Sequence, residues 1–308
     1  MTNVLVVGSV NMDLVMKAPR LPAPGETLVG GQFTVVPGGK GANQAASAAR
    51  LGCSVRLIAA VGEDDFGRAA LANLETQGVD SRLVSCLTGI ATGVAMIIVD
   101  AAGENTIIVA SGANAALTPE AVTTNAEAFA WADSVVLQCE IPLATVLAAI
   151  AAAKAAGTLV ILNAAPAVAS LPDQAFQVGY LVVNEQEAAA LTDIEPRSPA
   201  MALEAARQLN ARGAEHAVVT LGALGCVYSN GSISEHIPAP QVEAVDTTAA
   251  GDAFIGALAT ALGEGRPSRQ ALCYANCAGA LAVTKLGAQS SLPDAQSVAG
   301  LYRQHCRS

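Results

Sequence analysis

Aromatic residues, positive charge and histidine are all scarce in this sequence, and each shortage removes a class of function. Phe, Trp and Tyr make up 3% of 308 residues, too few for a platform on which successive bases could stack. Only 16 Lys and Arg stand against 26 Asp and Glu, a formal net charge of −10. The chain therefore offers no basic face for the phosphates of DNA or RNA. His216, His236 and His305 are spread out and match neither metal-ligand nor triad spacing, so general-base work falls to a carboxylate. Seven cysteines, an odd number without a CxxC pair, exclude a zinc ribbon. Cys273 and Cys277 are a helical turn apart but have no histidine nearby. The cysteines read as small buried apolar residues in a reducing compartment. No apolar run spans a bilayer, because Lys154 interrupts the best candidate. The N-terminus enters a strand at once and Asp13 follows soon after, unlike a signal peptide. A soluble, cytoplasmic protein is expected.

Two nucleotide-binding signatures are also missing. No GxxxxGK followed by Ser or Thr occurs, which excludes a P-loop, and no GxGxxG follows the first strand, which disfavours a dinucleotide oxidoreductase. Asp65-Phe-Gly67 occurs without the other protein-kinase signatures and reads as a turn before a helix.

What is present is ample core material, 52% hydrophobic residues with much alanine, which suits closely packed helices. Short apolar runs recur at Val4–Val7, Val55–Val61, Ser134–Leu137, Leu159–Leu162, Tyr180–Val183 and Ala217–Thr220. Helical stretches lie between most of them: Ala42–Leu51, Gly67–Gln77, Pro119–Trp131, Leu143–Ala156, Glu185–Leu191 and Pro199–Arg212. This alternation predicts one α/β domain over residues 1–308, a doubly wound, mostly parallel sheet with helices on both faces. Ligands of such sheets bind beyond the carboxyl ends of the strands. Two regions break the pattern. Leu14–Val36 carries three prolines between β-like pieces, and Thr92–Val109 reads as a hairpin around Asp100 to Asn105. Lacking crossover helices, they are expected to pair into a small separate sheet, about 14–36 and 92–110, that covers the site. The other face of such a sheet needs cover, so a homodimer through it is expected.

The stretch around which the chain is organised is Asp246-Thr-Thr-Ala-Ala-Gly-Asp-Ala-Phe254. Ala249, Ala250 and Gly251 let the backbone approach a ligand and put free N–H groups at the first turn of an apolar helix, where anions bind. Asp252 then stands beside the anion, either as a helix cap or as a base that deprotonates an attacking hydroxyl. Upstream, Gly38-Gly-Lys-Gly-Ala-Asn43 combines close-approach glycines with the donors Lys40 and Asn43. Asn11, Asp13 and Glu140 lie just past strands, where ligands of such sheets bind and where a carboxylate can also be a simple turn cap. Asn184-Glu-Gln-Glu187 has capping-box spacing. Thr220-Leu-Gly-Ala-Leu-Gly225 is a strand end with a glycine turn.

DTTAAGDAFIGAL from Asp246, together with VPGGKGANQA from Val36, Gly62-Glu-Asp-Asp-Phe-Gly67 and GENTIIVASGAN from Gly103, resembles the ribokinase family of sugar and nucleoside kinases. The resemblance runs from Val4 to about Pro293. It implies phosphoryl transfer from ATP with Mg²⁺ to the 5-hydroxyl of D-ribose, with Asp252 as base and the N–H groups of Ala250, Gly251 and Asp252 as anion hole. It assigns Asn11, Asp13, Gly39, Lys40, Asn43 and Glu140 to the sugar. Thr220, Gly222, Gly225, Gly251 and Asn276 go to the nucleotide, and Asn184 and Glu187 to water-mediated Mg²⁺. An activating K⁺ is implied at Asp246, Thr248, Ala282, Lys285, Gly287 and Ser291. The small sheet would be a lid. The family more often has Gly where Ala249 stands. Alternatives are a kinase for deoxyribose, fructose or a nucleoside, or a non-catalytic sugar-binding regulator.

Overall fold

The computed structural model describes residues 1–102 and 105–306. Gly103 and Glu104, part of the expected hairpin turn and of the GENTIIVASGAN motif, lie outside the described residues. The strands of the first third are β1 (Asn3–Val7), β2 (Asn11–Lys17), β3 (Phe33–Gly38), β4 (Ser54–Gly62), β5 (Val79–Asp80), β6 (Val84–Leu87), β7 (Gly93–Val99) and β8 (Asn105–Ala110). Then come β9 (Ser134–Gln138), β10 (Leu159–Asn163), β11 (Tyr180–Val183), β12 (His216–Thr220), β13 (Cys226–Ser229) and β14 (Ser234–Ile237). The helices are α1 (Lys40–Arg50), α2 (Asp65–Thr76), α3 (Pro119–Thr123), α4 (Ala126–Trp131), α5 (Leu143–Ala156) and α6 (Asp173–Phe176). They continue as α7 (Glu185–Thr192), α8 (Pro199–Ala211), α9 (Ala250–Gly263), α10 (Ser268–Ala282) and α11 (Ala295–His305).

The main sheet runs β14-β13-β12-β11-β10-β9-β1-β4-β5, with β6 also paired to β4. It is parallel from β12 to β5, and β13 and β14 extend it antiparallel. Because consecutive side chains point to opposite faces, Val4 and Val6 pack with α1, α9 and α10 on one side. Leu5 and Val7 pack with α5, α7 and α8 on the other. Burying each large aliphatic side chain in these two layers contributes roughly 1.5–3 kcal/mol. From β1 the chain first winds outward through β4 to β5, then starts again at β9 on the opposite side. The crevice between β1 and β9 is thus the topological switch point, where ligands of such sheets bind.

Small side chains set the spacing there. A Cβ on Gly256 of α9 would lie 2.3 Å from Ser47 Oγ of α1, so only glycine lets these helices touch and brings the start of α9 against the start of α1. A second sheet, in the order β3-β2-β7-β8, stands apart from the first, as the two unhelical regions implied. It is rooted at the switch point, because only Gly8, Ser9 and Val10 separate β1 from β2.

Local chemistry corrects several boundaries. The helix expected over Pro119–Trp131 is two helices. Asn125 Nδ2 takes the Ala121 carbonyl at 2.8 Å while Asn125 N–H turns to the Val122 carbonyl at 3.1 Å, so a side chain takes an acceptor the helix would need. The helix expected from Gly67 starts at Asp65, because Asp64 caps it through Gly67 N–H at 2.8 Å. His236 lies in strand β14, which the apolar runs did not mark, and the β13–β14 hairpin turns at the dipeptide Asn230-Gly231. Cys273 is not a free apolar residue: it forms a disulfide with Cys306, joining α10 to the end of α11. Among the described residues no helix is long and apolar enough to cross a membrane.

Candidate active site

The strands of the main sheet deliver polar side chains into one crevice. Asp252 enters from the first turn of α9 and is 7% exposed. Its Oδ2 accepts from Asn43 Nδ2 at 2.9 Å and its Oδ1 from Gln44 Nε2 at 2.9 Å. Both donors sit on α1, so helix contact rather than sequence proximity builds this pair of bonds. Glu140, just past β9, accepts from Ser9 Oγ at 2.5 Å and from the Lys40 backbone N–H at 3.1 Å. Gly39 has φ of 88°, and a Cβ there would lie 2.6 Å from the Asn11 backbone nitrogen. Glycine at this point is what lets α1 begin against the β1–β2 connection. Asn11 is buried, with its Oδ1 taking a hydrogen bond from Asn114 Nδ2 at 2.7 Å.

Charge in this crevice is unbalanced. Burial foremost, then the like charges of Glu140 and Asp252, push the Asp13 carboxyl up to about 7 against the pull of Lys40. Burial likewise raises Asp252 and Glu187. Desolvation pulls the Lys40 ammonium down, but Asp252, Glu140, Glu187 and Asp13 together outweigh it and hold it above its usual range. Asn43 Oδ1 is buried without a hydrogen-bond partner, an unmet acceptor that a ligand hydroxyl would satisfy.

Two cavities meet at the start of α9. The polar one is lined by Lys40, Asn163, Asn184, Glu187, Thr220 and Asp252, among others. The apolar one is lined by Thr220, Gly222, Gly225, Val242, Asn276 and Val283, among others. Thr220, Thr247, Gly251 and Phe254 line both. Ala249 adopts the left-handed conformation, φ 59°, a backbone reason for the family's preference for glycine there. The first helical hydrogen bond runs from Ala253 N–H to the Ala249 carbonyl at 2.8 Å. The N–H groups of Gly251 and Asp252 therefore precede it, while Ala250 N–H makes a long 3.3 Å turn bond to the Thr247 carbonyl. The structure brings this turn together with Asp252 and the expected nucleotide residues.

Asn184 and Glu187 form a full capping box on α7, Glu187 N–H to Asn184 Oδ1 and Asn184 N–H to Glu187 Oε2, each 2.8 Å. Asn276 donates to the Ile237 carbonyl at 3.0 Å and the Pro238 carbonyl at 3.4 Å, which holds the wall of the apolar cleft. Asp246 accepts from Thr248 N–H at 2.9 Å, Thr248 Oγ1 at 2.6 Å and Gly287 N–H at 2.8 Å. Burial would raise the Asp246 carboxyl, but these bonds prevail and hold it below its usual value. The same bonds join the Asp246 loop to the segment carrying Ala282, Lys285, Gly287 and Ser291. Among the described residues no three or more His, Cys, Asp and Glu side chains are grouped to hold a metal ion.

Gln44, Gln138, Asn163 and Ser9 belong to the site yet were not singled out from sequence. A signal existed for two of them: Gln138 and Asn163 each end an apolar strand with a buried amide, the same cue that marked Glu140.

Comparison with known proteins agrees with this geometry. The family model described as pfkB family carbohydrate kinase matches residues 1–295. A ribokinase of Bacillus subtilis is 40% identical over 298 residues, 97% of this chain and 98% of that protein. A ribokinase of Haemophilus influenzae is 39% identical over 291 residues, 94% and 95% respectively. The structure of Arabidopsis thaliana ribokinase complexed with ribose and ATP superposes with a TM-score of 0.92 at 32% identity, covering 98% of this chain and 99% of that one.

A Cβ on Gly251 would meet no atom within 4 Å, so the space over it belongs to the cavities and not to the fold. Gly251→Ala is expected to keep or raise the melting temperature, since alanine is up to about 1 kcal/mol better in a helix. Calorimetry should show ATP affinity falling at least roughly tenfold as the methyl group crowds the anion position. Unchanged affinity would mean no anion sits there.

The Asp13 carboxyl titrates at 3.8 in the unfolded chain and at about 7 in the folded one. Its contribution to stability is thus fully present below 3.8 and is lost as pH rises through about 7. Urea unfolding of the sugar-free protein should show this decline, at most about 4 kcal/mol in all, and Asp13→Asn should remove that part of the slope. Equal slopes for both proteins would show that Asp13 is ionised throughout.

Proposed function

The chain belongs to the pfkB family of carbohydrate kinases, and from that premise we infer an ATP-dependent sugar kinase that phosphorylates the 5-hydroxyl of D-ribose to give ribose 5-phosphate. The observation that carries this reading is Asp252, a buried carboxylate oriented by two amides at the meeting point of a polar and an apolar cavity. The sugar occupies the polar side, its hydroxyls donating to Asp13 and Glu140 and to the unmet Asn43 Oδ1, with Lys40 and the Gly39 turn alongside. The base of ATP lies in the apolar cleft between the Gly222–Gly225 turn and α10, and its phosphates cross the start of α9.

Transfer follows from this placement. The 5-hydroxyl oxygen forms a bond to the γ-phosphorus while the bond from that phosphorus to the β,γ-bridging oxygen breaks, and ADP leaves. Asp252 takes the hydroxyl proton. The N–H groups of Gly251 and Asp252, with Ala250 once it gives up its long turn bond, stabilise the charge on the transferring group. The small sheet contributes Asn11 and Asp13 and acts as a lid that keeps water from competing for the phosphoryl group.

Two cations fit the residues present. Glu187 is buried and raised in pKa, and it faces the polar cavity beside Asn184, so a hydrated cation would relieve it. Mg²⁺ there would neutralise phosphate charge while taking most of its ligands from ATP and water. Asp246, with Thr248, the carbonyls near Ala282, Lys285 and Gly287 and the Ser291 hydroxyl, offers an oxygen-rich pocket for K⁺ beside the Ala249 turn. A cytoplasmic location, where ATP is at hand, accompanies this reading. The decisive assay is ADP release from MgATP with ribose, deoxyribose, fructose and nucleosides, each in Na⁺ or K⁺. Strong turnover on ribose, raised by K⁺, is expected, with Asp252→Asn lowering it roughly 10²–10⁴-fold without loss of folding. Turnover on another acceptor alone would move the substrate, and a near-normal Asp252→Asn enzyme would remove the base.

The active unit in this reading is a homodimer through the lid. Val35, Leu14, Met96 and Ile108 stand in one cross-strand row, as do Phe33, Met16 and Ile98. Met96 is 59% exposed and Ile108 68%, an apolar face that a second copy would cover. Light scattering should give a dimer for the wild type and a monomer for the Met96→Lys, Ile108→Lys double variant. A monomeric wild type at micromolar concentration would exclude this assembly.

A further inference from the structure

We propose that Gln44 is a positioning residue for the base: it acts through Asp252, fixing which carboxylate oxygen is offered to the sugar hydroxyl, and is itself held by Gln138 and Asn163. The inference rests on the reading of Asp252 as the base.

The two amides on Asp252 are not equivalent. Asn43 gives its Nδ2 to Oδ2 and keeps a buried, unpartnered Oδ1, so it is open to the sugar. Gln44 has no such spare atom. Its Nε2 donates both to Asp252 Oδ1 at 2.9 Å and to Asn163 Oδ1 at 3.1 Å, and its Oε1 accepts from Gln138 Nε2 at 2.7 Å. It is 1% exposed. Turning the amide over would set its oxygen against two acceptors and its nitrogen against a donor, so only one orientation is allowed.

The two partners are held differently. Asn163 Nδ2 donates to the Val182 carbonyl at 3.3 Å, which leaves Oδ1 facing Gln44. Gln138 is held by packing: its Oε1 is buried without a hydrogen-bond partner and lies where a Cβ on Gly8 would be 2.0 Å away, so the glycine just after β1 makes the room for this side chain. The ends of β9, β10 and β11 thereby determine the orientation of one amide on α1, and that amide determines the rotamer of one carboxylate on α9. Asn163 lines the polar cavity, while Gln44 and Gln138 line neither of the two cavities and act on the base only through this chain of bonds. Its effect is geometric, since a base displaced from its line of attack by as little as about 1 Å costs up to roughly 10² in rate.

It is also electrostatic, because hydrogen bonds to an ionised carboxylate favour that form. The charged groups facing Asp252 are Lys40 from α1, Asp13 from β2, Glu140 after β9 and Glu187 from α7. Burial outweighs the opposing pull of Lys40, Asn43 and Gln44. Removing one amide donor therefore raises the carboxyl further.

The test uses Gln44→Met, close in size but unable to donate, and Gln138→Met, which leaves Gln44 in place but removes the donor that holds its Oε1. Turnover on ribose is followed from pH 5 to 9. Carboxyl ¹³C NMR of the ligand-free protein follows the resonance that Asp252→Asn abolishes. For Gln44→Met we expect kcat reduced roughly 10–10²-fold, KM for ribose and ATP within about twofold, and the acidic limb and the Asp252 titration both moved to higher pH. Gln138→Met should move all three the same way by less. Unchanged kcat and titration in Gln44→Met overturn the proposal, as does a rise in ribose KM alone, which would place Gln44 in sugar binding. If Gln44→Met does not fold, an unshifted Gln138→Met overturns it. A wild type silent on ribose would sink the kinase reading by itself, and the titration would still decide whether Gln44 governs Asp252.

Discussion

Four carboxylates, Asp13, Glu140, Glu187 and Asp252, face the single ammonium of Lys40 in a crevice from which most water is excluded. Like charges at such range cannot all be ionised in a poorly solvated place. Their proton affinities rise accordingly: Asp13 is pushed up to about 7, and Asp252 and Glu187 are raised as well. The proposed function gives each excess charge a counterpart, sugar hydroxyls for Asp13 and Glu140 and a hydrated cation for Glu187, while the amides of Asn43 and Gln44 favour the ionised form of Asp252. Lys40 can stand among them only because Gly39 and Gly41 bring α1 against the β1–β2 connection, where a Cβ on Gly41 would lie 2.5 Å from the Ser9 nitrogen.

A chain of net charge −10 can still hold a polyphosphate where the groups presented to it are neutral dipoles. The first turn of α9, entered through the left-handed Ala249, offers N–H groups without helical partners, and its Gly251 lines both cavities. The apolar cleft next to it is walled largely by glycine, alanine and valine, with Phe254 its one aromatic ring. Asn276 spends its N–H groups on the carbonyls of Ile237 and Pro238, so this wall is held by the protein's own bonds.

Much of this was legible in the chain itself, and the particular residues say why. The alternation of apolar runs and helical stretches located the parallel strands because a strand buried on both faces must be apolar throughout. The absence of crossover helices separated β2, β3, β7 and β8 into their own sheet. Asn184 and Glu187 announced a capping box, which is a local device spanning one helical turn. Where a side chain competes with the backbone, as Asn125 does, the same local patterns misplaced a boundary, since a helix-forming run does not reveal which carbonyls its side chains take.

The sequence by itself determined the architecture, the glycine and carboxylate motifs, and the chemistry they can support, because periodicity, caps and turn residues act over a few neighbouring positions. Only the tertiary structure decided how Asp252 is held. Gln44 lies 208 positions from Asp252 and 94 from Gln138, and no local pattern links residues so far apart. The same holds for the Cys273–Cys306 bridge, whose partners are 33 positions apart and meet because α11 packs on α10. An amide can donate or accept, and a cysteine can be free or paired. Which of these it does depends on what the packed chain places within bonding distance.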